Sequence, residues 1–247
     1  MKPRVSAWLL SAVAASAAFA AGPAIAQDIS ISLGDDASLS ARTIQLILLI
    51  TVLSLAPGLA IMITCFPFIV TVLSILRQGI GLQQSPPNML IVSLALFLTY
   101  FVMEPVFTEA WSGGIEPLLN ESIETETAMM RALEPFRVFM AGRVDGDTFA
   151  AMAALRPDTV NQAVAPDAPL SVLVPSFMLS EIARAFQIGF LVFLPFLIID
   201  LVVAAVLMSM GMMMVPPAIV SLPFKLAFFV IADGWTLIAD GLVRGYF

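Results

Sequence analysis

LMSMGMMMVPPAIVSLPFK, residues 207–225, sets five methionines within seven positions, adds a Pro-Pro pair and, after a short apolar run, a lysine. Proline has no N–H to give a helix and its ring collides with the preceding turn, so Pro216-Pro217 marks a break. The flanks are apolar: Ala185–Val215 carries only Asp200 and is interrupted by Pro195, while Ser221–Val243 carries Lys225, Asp233 and Asp240. Two helices hinged at Gly211, Pro216 and Pro217 follow, with the methionines at their apex. The expected fold is therefore an all-α membrane protein.

The rest of the chain has the same character. It is 60% hydrophobic and 12% charged, with a mean hydropathy of +1.00, against about one quarter charged in an ordinary soluble domain. Thr43–Leu76 has no charge between Arg42 and Arg77; as one helix it would span about 50 Å, well beyond a bilayer core of about 30 Å. Pro57-Gly58 and Pro67 offer places for it to bend or break. Arg77–Asn88 (RQGIGLQQSPPN) is a polar turn, and Met89–Met103 is apolar again up to Glu104-Pro105. These runs form a first hairpin, which shares a Pro-Pro apex with the second. Between the hairpins, Glu104–Asp167 holds eleven acids against four arginines. There Ile115, Leu118, Leu119 and Ile123, then Met129, Leu133, Phe136 and Met140, recur at helical spacing. Short amphipathic helices in water, followed by a loose linker, are expected there.

At the start of the chain Lys2 and Arg4 precede the apolar, Ala-rich Val5–Phe19, and Ala24-Ile25-Ala26 supplies the small residues a signal peptidase needs; Ala18-Phe19-Ala20 is a second site. The divisions expected are a cleavable signal over 1–26, an extracytoplasmic segment over 27–42, a first hairpin over 43–104, extracytoplasmic helices and linker over 105–184, and a second hairpin over 185–247. Without residues 1–26, Lys225 is the only lysine. A cleaved signal places both Pro-Pro turns on the cytoplasmic side.

Composition also excludes functions. A net charge of −7 does not suit nucleic acid, which needs a basic face. With no histidine and one cysteine, Cys65, the chain can hold neither a disulfide within itself nor an imidazole-based catalytic pair or zinc site. No nucleotide-binding loop of the GxxxxGK[ST] kind occurs. No catalytic residue, cofactor or metal is expected.

The candidate functional groups are few. Met208, Met210, Met212, Met213 and Met214 are soft and unbranched; repeated around a ring, they would make a deformable constriction that yields to chains of varied shape. The bland alternatives are lipid-facing or core methionines, and a copper(I) site. Glu181, Arg184, Asp200, Lys225 and Asp233 stand in apolar surroundings, where an unpaired charge costs at least a few kcal/mol. Glu181 and Lys225 could pair, within the chain or between copies, or snorkel to the surface. Asp200 and Asp233 could instead form a proton relay.

The stretches TVLSLAPGLAIMIT (51–64), LRQGIGLQQSPPN (76–88), ALFLTYFVMEP (95–105), EPFRVFM (134–140), PSFMLSEIARAFQIGFLVFLPFLIID (175–200), MSMGMMMVPP (208–217) and SLPFKLAFFVIADGW (221–235) closely resemble the FliP/SctR family of type III secretion export gates. The resemblance implies a pore-lining subunit that assembles as a homo-oligomer with FliQ and FliR. FlhB and FlhA would be its neighbours, in the inner membrane at the flagellar basal body, and unfolded proteins its cargo. It implies a methionine gasket at Met208, Met210, Met212, Met213 and Met214, and Glu181 and Lys225 as bridges between subunits. A cleavable signal favours the flagellar branch over the injectisome branch. A proton-coupled small-solute transporter and a scaffold without a conduit are the rivals from other classes. Cys65-Phe66-Pro67-Phe68, where the family pattern leads one to expect a basic residue, and the weakly charged AGRVDGDTFAAMAALRPDTVNQ (141–162) depart from that pattern.

Overall fold

The long uncharged run over residues 43–76 breaks at Ile63–Cys65, where Thr64 donates both its N–H and its hydroxyl to the Ile61 carbonyl. In this computed structural model, which describes residues 39–81, 86–160 and 162–247, helix α1 (Leu39–Met62) ends before the break and α2 (Phe66–Ile80) begins after it. Pro67 falls in the first turn of α2, where its missing N–H costs nothing, while Pro57 is absorbed inside α1. The signal over 1–26, most of the 27–42 segment and residues 82–85 of the polar turn lie outside the described residues.

The remaining elements are also helical: α3 (Asn88–Ala110), a single π-turn (Trp111–Ile115), α4 (Glu116–Leu119), α5 (Thr125–Arg143), α6 (Gly146–Ala153), α7 (Leu170–Ser209), α8 (Pro217–Ile231) and α9 (Gly234–Arg244). Among the described residues there is no strand. Two boundaries differ from the sequence reading. α3 runs through Pro105 instead of ending at Glu104, and α7 begins at Leu170, well ahead of the apolar run starting at Ala185. In both, packing outweighs the local signal. Leu173 and Phe177, in the first turns of α7, are fully buried, and tertiary contact is what makes a helix-internal proline such as Pro175 tolerable.

The chain divides by its contacts at Thr51–Val52, and residues 52–247 form one packed unit. Its centre is α2. Phe68, Ile69, Val72, Leu73 and Leu76 are at most 2% exposed, packed among α3, α7, α8 and α9. α2 and α7 come close because Gly189 has no side chain: a Cβ there would lie 2.4 Å from Ile75 Cδ1. A second cluster, around Met140, Phe149, Leu173 and Phe177, joins α5 and α6 to the start of α7. The acidic middle of the sequence thus supplies helices that pack onto the apolar ones.

Among the described residues, three helical stretches are long and apolar enough to cross a membrane: Arg42–Met62, Asn88–Leu119 and Leu170–Ser209. α8 and α9, bent by 62° at Ala232–Asp233, make a fourth if the pair is one broken span. α7 has 40 residues and is about 60 Å long, twice the hydrocarbon thickness. A helix of that length fits a bilayer only if it tilts steeply or leaves part of itself outside the hydrocarbon.

The π-turn offers a direct test of packing. A Cβ on Gly114 would lie 2.7 Å from the Ala128 carbonyl and from the Ala132 N–H, both backbone atoms of α5 that cannot swing away. Gly114→Val is therefore expected to lower stability by about 1–3 kcal/mol. Thermal unfolding of the purified protein should show the loss, and Gly113→Val, where nothing lies within 4 Å, should be milder.

Candidate functional site

The methionine turn is closed from both ends by its own chemistry. Gly211 sits in the left-handed region (φ 76°), a conformation open to glycine at little cost. Its N–H donates to the Met208 carbonyl (3.1 Å), and the Met212 N–H reaches back to the Leu207 carbonyl (2.9 Å). These are the paired bonds of a Schellman helix end. Pro217 then opens α8 as its first residue, preceded by extended Pro216. The turn from Gly211 to Pro217 is thus defined by its backbone hydrogen bonds and dihedral angles.

All five methionines are exposed on the chain, Met213 and Met214 to 82% and 98%. Beneath them, between α7 and α8, lies an open apolar groove of about 570 Å³ lined by Val202, Val206, Met210, Met212, Val220 and Phe224, among others. Nothing else in the described chain fills it. A soft apolar edge on a rigid turn is suited to contact with a flexible apolar or polymeric partner.

Just below the turn sits an ion pair whose lysine is buried and whose aspartate is partly exposed. Lys225 Nζ donates to Asp200 Oδ2 (2.6 Å) and to the Gly79 carbonyl (3.0 Å), and the Ser221 hydroxyl donates to Asp200 Oδ1 (2.5 Å). Lys225 is 5% exposed and Ser221 fully buried. One ammonium thus joins α8 to α7 and to the carboxyl end of α2. The partner of Lys225 within the chain is Asp200, not Glu181.

Glu181, fully buried, has its own partners. Its Oε1 lies 3.2 Å from guanidinium nitrogens of both Arg143 and Arg184, and its Oε2 accepts from the Tyr246 hydroxyl. Arg143 also donates to the Gly245 carbonyl (2.7 Å) and lies 4.1 Å from the centre of the Tyr246 ring. Burial, then the charge of Glu181, pushes the Tyr246 phenol above its usual range, so it stays protonated and donates. α5, α7 and the segment after α9 meet at this carboxylate.

Sequence reasoning singled out Glu181 and Arg184 but missed Arg143 and Tyr246, which are separated from Glu181 by 38 and 65 positions. One signal was available: a carboxylate in an apolar helix needs more than one donor, and basic residues are scarce in this chain. Asp200 and Asp233 are not brought together as a relay. Asp200 is committed to Lys225 and Ser221, and Asp233 accepts from Thr236 (3.1 Å) at the bend before α9. Among the described residues no group of metal-ligating side chains converges.

Comparison with known proteins covers most of these features. The FliP family model matches residues 49–242. The flagellar biosynthetic protein FliP of Caulobacter vibrioides is 51% identical over 96% of this chain and 90% of its own. Those of Agrobacterium fabrum (50%, over 85% of this chain and 86% of its own) and Bacillus subtilis (45%, over 88% and 98%) are similar across the same region. With its α7–α8 turn, its Lys225–Asp200 and Glu181–Arg143–Arg184 ion pairs and nearly all of its described helices inside the matched region, the chain belongs to the FliP family and is not an enzyme.

Proposed function

We propose that the chain is a pore-forming subunit of the flagellar type III export gate, passing unfolded flagellar proteins across the bacterial inner membrane. The observation that carries this reading is the methionine turn: five exposed thioethers, on a turn fixed by Gly211 and Pro216-Pro217, above an apolar groove that the chain itself leaves open. In a homo-oligomer with FliQ and FliR, copies of this turn would meet around an axis. Met208, Met210, Met212, Met213 and Met214 would then form a yielding gasket that dewets when closed. FlhB and FlhA would be the neighbours at the flagellar basal body. The 40-residue α7 supports the same reading, because a helix about twice as long as the bilayer is thick needs protein neighbours over much of its surface. An injectisome gate has the same physics. The relatives' flagellar designation favours the flagellar assignment.

Replacing the five methionines by alanine is expected to leave the complex assembled but leaky, with ion conductance in native membranes rising several-fold while export persists or rises. A crosslinker at Met210 should capture a secreted polypeptide in transit. If the alanine variant held ions as tightly as the parent, or Met210 never touched cargo, the gasket would be wrong. A proton-coupled carrier would instead lose uptake without leaking, and a scaffold would do neither.

A further inference from the structure

The segment after α9 folds back onto Glu181. The Tyr246 ring stacks on Phe139 of α5 (centroids 6.1 Å, 16°) and meets Phe68 of α2 edge-on (5.6 Å, 78°). Its hydroxyl reaches Glu181, and Arg143 grips both its ring face and the Gly245 carbonyl. Tyr246 packs on the cluster that holds Cys65, the single thiol of the chain, which is completely buried.

Among the described residues, two polar fastenings, besides the apolar contacts of Phe196 with Phe228 and Phe229, tie the α8–α9 arm to α7. One is Lys225–Asp200, beside the methionine turn; the other is Tyr246 on Glu181, beyond the bend. They differ in kind. Releasing Lys225 strands a buried charge. Releasing Tyr246 does not, because Glu181 keeps Arg143 and Arg184. A fastening that opens without leaving an unpaired charge is the one able to cycle.

We propose that Tyr246 is a releasable latch: through Arg143 and Glu181 it holds α9 shut over the core at Cys65, and it is the point at which α9 opens away from that core. The latch belongs to the single chain and would stand even if the methionines lined no pore. α9 opens about the bend at Ala232–Asp233, where Asp233 already has left-handed backbone (φ 49°), while Lys225 holds α8 in place.

Cys65 makes this measurable without adding a probe. In the full chain in native membranes, N-ethylmaleimide labelling of Cys65 should be slow. Tyr246→Phe keeps the ring contacts and loses one hydrogen bond to a charged group, so labelling should accelerate about tenfold. Tyr246→Ala should accelerate it further, and Tyr100→Phe, on an exposed tyrosine of α3, should not change it. If Tyr246→Ala fails to fold, Tyr246→Phe carries the test, with its circular dichroism and thermal midpoint checked against the parent. Faster labelling of a folded Tyr246→Phe chain supports the latch. A rate equal to the parent's, in a folded Tyr246→Phe or Tyr246→Ala chain, overturns it.

Discussion

Glu181→Ala is expected to be the most damaging single substitution in the chain, lowering its thermal midpoint by on the order of 10 °C. Glu181 is fully buried and balances two guanidiniums, of which Arg143 is 17% and Arg184 35% exposed. Without the carboxylate, Arg184 can swing to solvent at modest cost. Arg143 cannot: it is held among the Gly245 carbonyl, the Tyr246 ring and α7. Removing one partner of a buried pair typically costs about 3–5 kcal/mol, most of it for the charge left behind. For a chain of this length each kcal/mol shifts the midpoint by about 2–4 °C. Glu181→Gln keeps the shape and an acceptor and should fall between parent and alanine. The check is a melt of the detergent-extracted protein followed by tryptophan fluorescence; a Glu181→Ala midpoint within experimental error of the parent's would show that the cluster carries no net charge balance.

The cluster also shows where sequence reasoning stops. The methionine turn was legible because each of its parts acts locally: Gly211 can take positive φ, Pro216-Pro217 stops one helix and starts the next, and the apolar flanks need no distant partner to be helical. The membrane character of the runs was legible for the same reason, since length and lack of charge are properties of a single stretch. The break in the first run was legible as a choice among Pro57-Gly58 and Pro67, but not its position at Ile63–Cys65, because a proline is harmless in a first turn and tolerated inside a packed helix. Partner choice was not legible. Nothing near Lys225 in sequence points to Asp200 or to the Gly79 carbonyl. That pairing exists because α2, α7 and α8 pack side by side. The early start of α7 at Leu170 was hidden likewise: Leu173 and Phe177 face a cluster assembled from α5 and α6.

Asp200 and Lys225 should respond unequally to substitution, and the inequality separates a pair within the chain from a bridge between copies. Lys225 is the deeper partner, its side chain 7% exposed against 31% for Asp200. Lys225→Met removes the charge that cannot reach water and fills its space with apolar chain. Asp200 keeps Ser221 and some solvent, so the cost should be about 1 kcal/mol. Among the described residues, Asp200→Ala leaves the ammonium with the Gly79 carbonyl alone, and about 3 kcal/mol or more should be lost. The double variant should be more stable than Asp200→Ala alone, giving a coupling of about 2 kcal/mol in a double-mutant cycle. A bridge from Lys225 to Glu181 of another copy, as the family resemblance suggests, would require Lys225 to exchange Asp200 for that carboxylate as subunits assemble. The cycle should then be run twice, on the extracted single chain and on the assembled complex. Coupling to Asp200 in the single chain and to Glu181 only in the complex would show an exchange of partners on assembly. Coupling to Asp200 in both would make Lys225 a fixed brace beneath the methionine turn, and no coupling to Asp200 in the single chain would remove the brace altogether.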